Sequence, residues 1–449
     1  MFNNIQEFHN LLIVCAIYVG IFALAETWRV VSQPAVEKTR KMVHLLSGFV
    51  CLFFGFLFQS HWTILLLGFS FSLIMILSKK YNLLNSIHGV SRQSQGGIYF
   101  PFAVWLTFLI CEKTQHMEFY FIGILVLSLA DSFAALAGKA YGRIKIRVED
   151  DQKTLLGSIV FFITAFACIL VSMFVLTDLP KYETLLASLY VAILVTVFEF
   201  LALQGSDNVF IPLGTVAVLL KITEKPLEEM FYQIVLIFAI FIVTYVILRK
   251  IKWIGFSAVI GIALFAYATQ ALIDISWSYV VFIIIIFISY AMKGNDEITE
   301  KYRVRPLFYF ILVSIAWMMA GNYFPDYRGY FFTPFAVSLI VGSCILWKNN
   351  INDLNIKLFK FKNSSIIELF MISFLSVLFL LTPHKFFESD FNWFYSALSG
   401  LISVFIILVI RHYYLEDIIG LKKKMIVQST VTAVITSILA YSNYVFIKG

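Results

Sequence analysis

An aspartate stands inside an apolar segment at Asp131, and a cationic stretch follows it. Residues 119–141 are apolar enough to cross a bilayer, and a carboxylate near the middle of such a segment is expensive, which makes it a functional candidate by default. At about 100° per residue, Asp131, Ala135, Gly138 and Gly142 fall on one narrow helical stripe with Ser128 beside it. Arg143, Lys145 and Arg147 come next, then Asp150, Asp151 and the run Lys153-Thr154-Leu155-Leu156-Gly157-Ser158, which re-enters an apolar segment. A carboxylate for a divalent ion, a lysine and hydroxyls for phosphate oxygens, and glycines for close backbone approach are what a nucleoside triphosphate site requires. No GxxxxGK[ST] sequence is present, so this is not a Walker motif. Taken alone, the glycines serve equally well to let a second transmembrane helix approach.

Three further blocks carry similar groups. In Arg40-Lys41-Met42-Val43-His44 followed by Gly48, a cation, an imidazole and a bare backbone patch share one helical face at the mouth of the second apolar segment. Positive charge that fixes membrane topology explains the cations equally well. Arg92, suited to bidentate phosphate contact, precedes Gly96-Gly97 and the aromatic-proline step Tyr99-Phe100-Pro101. The seventh apolar segment ends in Glu199, and Gly205, Asp207, Asn208 and Pro212 follow, an arrangement in which Pro212 is expected to break the helix. A simple turn would account for the Asp-Asn pair without any catalysis.

The order D-S-x-A-A-x-x-G-x-x-x-G, a basic loop and K-T-x-x-G-S resembles the signature of the membrane-embedded CTP-using family that contains phytol kinase, dolichol kinase and, more distantly, phosphatidate cytidylyltransferase. RK-x-x-H-x-x-x-G, the Gly-Gly before an aromatic-proline step, and E-x-x-x-x-x-G-x-D-N-x-x-x-P resemble further blocks of the same group, in the same order, across residues 38–214. The resemblance implies transfer of a phosphoryl group from CTP to an isoprenoid or other lipid alcohol such as phytol, farnesol or dolichol. The choice of CTP rests on the resemblance alone. Together with the residue chemistry it implies Mg²⁺ held by Asp131, Asp207 and Glu199, and phosphate oxygens held by Lys41, Arg92, Lys153, Thr154 and Ser158. Asn208 would position nucleotide or metal, and Gly138, Gly142 and Gly157 would permit its approach. His44 or one of the acids would accept the proton of the alcohol. An asparagine at position 131 is expected to remove activity and to spare the fold.

The chain of 449 residues is 60% hydrophobic and 14% charged, with 47 Phe, a composition that soluble domains do not approach. It predicts an all-α polytopic transmembrane bundle of about 16 spans, from 10–28 to 426–446. Segments 98–111 and 209–221 are short for spans. Residues 11–24 lack a basic flank and a small-residue cleavage site, and so predict a first span and no removable leader. With the N-terminus outside, 27 of the 34 Lys and Arg fall on one face, which predicts that this face, with every candidate loop, is cytoplasmic in a cell inner membrane. Cys15, Cys51, Cys111, Cys168 and Cys344 lie in apolar surroundings without CxxC spacing, so neither disulfides nor a zinc site is predicted.

All blocks with assignable chemistry precede Gly214, and the polar stretch 222–229 contains Pro226. Residues 1–228 therefore read as a lipid-alcohol kinase-like membrane domain, and 229–449 as an accessory membrane domain of unknown function. The expected partners are the nucleotide, the lipid alcohol and membrane lipids, with no nucleic acid, and a homodimer is left open. Two other readings stand beside the kinase. A cytidylyltransferase forming a CDP-lipid needs the same triphosphate clamp, although that branch resembles a K-T-W-E-G block and Leu155-Leu156 occupy its Trp-Glu positions here. A transporter or flippase would use Asp131 as an ion relay.

Overall fold

The computed structural model describes residues 5–81, 84, 86, 96–148, 151–249, 255–273, 277–282, 284, 304–339, 398, 402, 406, 430–439 and 441. The chain divides into two compact units, Met1–Val235 and Leu236–Gly449. In the first unit the helices are α1 (Ile5–Ser32), α2 (Val36–Leu52), the single turn α3 (Phe54–Leu57), α4 (His61–Lys80), α5 (Gly96–Thr114), α6 (Met117–Tyr141), α7 (Leu155–Leu176), α8 (Lys181–Leu201) and α9 (Asp207–Ile222). Helix α10 (Leu227–Leu248) runs across the division. The second unit contains α11 (Phe256–Leu272), α12 (Val304–Tyr323), a helix over 328–339 and another over Thr430–Leu439.

Seven described helices are long and apolar enough to cross a membrane. Helices suit that environment because they satisfy every backbone polar group internally. The expected segment 365–382 and most of 393–410 lie outside the described residues, as do Arg92, Asp150 and Cys344. The two segments that looked short are helices of 19 and 16 residues, α5 and α9. Pro212 sits inside α9 and does not interrupt it. The break falls earlier, at Gln204 and Gly205, whose φ values of 53° and 92° turn the chain between α8 and α9.

One element departs from the all-α expectation. The basic stretch after α6 is an antiparallel hairpin of β1 (Lys145–Val148) and β2 (Asp151–Thr154), paired Lys145 to Thr154 and Ile146 to Lys153. Ile146 and Val148 alternate with Lys145 and Arg147, so one edge of β1 turns inward, where Val148 is fully buried, and the other carries exposed cations.

Helix α6 is the axis of the first unit and packs against α2, α5, α7 and α9. Of its most apolar window 67% is buried, against 22% for α1. Small residues set the closest approaches. A Cβ on Gly48 of α2 would lie 1.7 Å from Ser128 Oγ of α6, and one on Gly123 of α6 would lie 3.1 Å from the Pro212 carbonyl oxygen of α9. In the second unit buried hydroxyls link the helices: Ser314 and Ser338 share a 2.7 Å hydrogen bond, and Trp317 Nε1 donates to Thr436 Oγ1 at 2.9 Å.

Candidate active site

Asp131, in the fifteenth position of α6, meets α2 through two side chains. Lys41 Nζ lies 2.5 Å from Asp131 Oδ2 and 3.4 Å from the Asp131 carbonyl oxygen. His44 Nε2 stands 3.3 Å from the same Oδ2 and 3.4 Å from the carbonyl oxygen of Leu127. Both neighbours of that nitrogen are acceptors, so Nε2 carries a proton and donates to them. The edge of the imidazole rests on Phe100 of α5, with ring centroids 5.2 Å apart. Lys41, three residues before His44, sits on the face that α2 turns to α6. It is only 6% exposed, as is Asp131. An unpaired lysine or aspartate at such a depth is costly, and together they form a neutral pair.

A second pair lies at the hairpin. β2 carries Lys153 to the end of α8, where its ammonium donates to Glu199 Oε1 and, at 2.9 Å, to the Glu199 carbonyl oxygen. Burial works against the charged lysine, but Glu199, Asp207 and Asp131 outweigh it and hold the group above the usual lysine range. The two pairs are therefore parts of one electrostatic cluster. Asp207 begins α9 and accepts the Asn208 backbone N–H at 3.0 Å, while Asn208 Nδ2 donates to the Gly205 carbonyl oxygen at 3.2 Å. That bond fixes the Asn208 amide, and its Oδ1 is buried without a partner among the described residues.

Arg40 opens the RK-x-x-H block but was given no role there, and it belongs to the same cluster. Its guanidinium bonds Glu37 at 2.5 Å and lies within electrostatic reach of both Asp131 and Asp207. The available signal was helical spacing, because Arg40 and His44 are one turn apart on α2.

The other candidates have structural duties. Thr154 caps α7, its hydroxyl accepting the Gly157 N–H at 3.1 Å. Ser158 stands in the first turn of α7 and is half-buried. The glycines expected to admit the nucleotide instead admit protein. A Cβ on Gly138 would lie 2.6 Å from Thr154 Oγ1 and 3.3 Å from the Gly157 Cα, and one on Gly142 would lie 2.3 Å from the Gly138 carbonyl oxygen. Gly157 would meet Thr154 Oγ1 and the Ala134 carbonyl oxygen at 2.9 and 3.2 Å. The stripe on α6 is thus the seat of α7 and the hairpin, the packing reading that the sequence had left equal.

Among the described residues no three of His, Cys, Asp and Glu come together as a metal cluster. Asp131, Asp207 and Glu199 share one electrostatic neighbourhood, but Asp131 and Glu199 are each bonded to a lysine. The donor set nevertheless suits a hard cation that takes few protein oxygens and completes its shell with phosphate. Two aspartates and the orphaned Oδ1 of Asn208 are oxygen donors of that kind.

Over 203 residues the chain is 29% identical to a phytol kinase of Synechocystis sp., a match that takes in 45% of this chain and 87% of that protein. No protein-family profile matches the chain, and no solved structure matches it. The likeness to phytol kinase read from four short blocks is thus supported by a match over 203 residues.

Proposed function

We propose that this relative of phytol kinase transfers the γ-phosphoryl group of CTP to a lipid alcohol of the isoprenoid class at the cytoplasmic face of the membrane. One observation carries the reading: four sequence blocks spread from Lys41 to Asn208 bring together two lysine–carboxylate pairs inside an apolar bundle, Lys41–Asp131 with His44 and Phe100 beside it, and Lys153–Glu199 with Asp207 within electrostatic reach and Asn208 next to it. Burial of this much charge inside an apolar bundle is costly unless it serves a site. The cytoplasmic assignment is supported by the clustering of Lys and Arg on one face.

In this reading Lys41, with Arg40 next to it on α2, turns from its carboxylate to phosphate oxygens when the triphosphate enters, and Lys153, still held by Glu199, offers its remaining N–H to them. Asp131, Asp207 and the Oδ1 of Asn208 would hold Mg²⁺, which would supply positive charge against the triphosphate oxygens. His44 keeps its Nε2–H on Asp131 and Leu127 and takes the proton of the alcohol at Nδ1. The hydroxyl oxygen bonds to the γ-phosphorus, the bond to the β-bridging oxygen breaks, and CDP leaves. The isoprenoid tail lies against the apolar faces of the helices, which the membrane already solvates.

The test is purified protein incubated with Mg²⁺, a panel of lipid alcohols and CTP labelled either at the γ-phosphate or in the cytidine. γ-Label in the lipid is the expected outcome. Cytidine label in the lipid would replace the kinase by a cytidylyltransferase, and absence of both labels with every alcohol would remove the transferase reading.

A further inference from the structure

We infer that Glu199 is a positioning residue for Lys153 and not a ligand of the metal, an inference that rests on the phosphoryl-transfer reading above. Two of the three N–H donors of the Lys153 ammonium are taken by one residue, since both the carboxylate and the backbone carbonyl oxygen of Glu199 accept from it. Among the described residues the third has no acceptor, and it is left for a ligand oxygen. Lysine is ordinarily a mobile point charge on a four-carbon stem, and here it is held at both ends. The hairpin register with Ile146 fixes its backbone, and the last turn of α8 fixes its ammonium.

The same geometry argues against metal ligation by Glu199. Its side chain is 9% exposed and that of Lys153 is 17% exposed. A cation drawing the carboxylate away would remove the side-chain acceptor that aims Lys153 and set a second positive charge beside its ammonium. Asp207 and Asn208 begin the next helix, and Asn208 offers an oxygen with no partner among the described residues. Glu199 thus aims the lysine that meets the phosphate, and Asp207 with Asn208, which no lysine bonds among the described residues, would be left to the ion.

The test uses full-length protein in detergent, with CTP as nucleotide and Mn²⁺ in place of Mg²⁺ so that bound metal is read by paramagnetic resonance. A thermal melt accompanies each variant. Glu199→Gln, which keeps an acceptor for Lys153, is expected to bind Mn²⁺ within about threefold of wild type while KM for CTP rises about five- to twentyfold. Glu199→Ala should raise KM further, and should also speed acylation of Lys153, read by mass spectrometry, at least about fivefold as the ammonium is released. A loss of Mn²⁺ affinity of about tenfold or more in Glu199→Gln marks a lost ligand and overturns the inference. So does equal acylation of Lys153 in wild type and Glu199→Ala. Acylation needs neither nucleotide nor metal, so a protein that binds no CTP overturns the kinase reading while the labelling rate still decides the role of Glu199.

Discussion

Asp131 was legible from sequence because a carboxylate among apolar residues is conspicuous, but its partner was not, because Lys41 lies 90 residues away. The pair changes what a substitution does. An asparagine at 131 was expected to relieve desolvation and leave the fold intact. With Lys41 only 6% exposed, it instead strands an ammonium, and breaking a buried pair on one side costs about 3–5 kcal/mol. Asp131→Asn should therefore lower both turnover, to less than about a tenth of wild type, and the melting temperature. Asp131→Asn with Lys41→Met removes both charges and should return the melt to within about 1–2 kcal/mol of wild type without restoring turnover. Recovery of activity in the double variant would show that Asp131 serves only the fold. Lys153→Ala should raise KM for CTP and lower kcat, together reducing kcat/KM about tenfold or more. Kinetics within about threefold of wild type would show that the residue is only a topology charge.

At the scale of elements, the glycines and the hairpin separate what the sequence could say from what it could not. A small-residue stripe announces close approach but does not name the occupant, and here Gly138, Gly142 and Gly157 close α6, α7 and the hairpin on one another. The strands were missed because the cations of the stretch suggested a solvated loop, whereas the period-two alternation of Lys145, Ile146, Arg147 and Val148 was the readable signal. The helices themselves follow directly from long apolar runs. Gly48 tests whether element spacing governs the chemistry. Its missing Cβ would sit 1.7 Å from Ser128 Oγ and 2.5 Å from Ser128 Cβ. Ser128 is held in place by its 2.7 Å bond to the Ile124 carbonyl oxygen. Gly48→Ala should push α2 from α6, costing about 1–3 kcal/mol, and draw Lys41 and His44 away from Asp131, so that turnover falls more steeply than stability. Ser128→Gly in the same chain removes both offending atoms and should restore turnover. A Gly48→Ala protein with full activity would show that the α2–α6 distance does not set the site.

For the whole molecule, the division into two units bears on where the activity resides. Every residue of the cluster falls between Arg40 and Asn208, inside the unit that ends at Val235. The sequence carries no acid cluster within an apolar segment after residue 229, and charge inside a bilayer is retained where it serves a site or a partner. The chain end for a test follows from α10. Ending at Glu228 removes Met230, which is fully buried, and ending at Val235 cuts α10 in its third turn, whereas ending at Leu248 keeps that helix whole. We expect residues 1–248 to insert, to melt cooperatively and to phosphorylate a lipid alcohol with kcat within about tenfold of the full chain. Residues 1–228 should melt lower, because the buried Met230 and Ile234 of α10 are gone. The comparison that decides is made at matched folding: a 1–248 protein with an intact melt and no turnover, beside an active full-length chain, places necessary chemistry in the second unit. A 1–248 protein whose kcat holds but whose KM for the alcohol rises assigns the second unit to the acceptor and leaves the nucleotide side to the first.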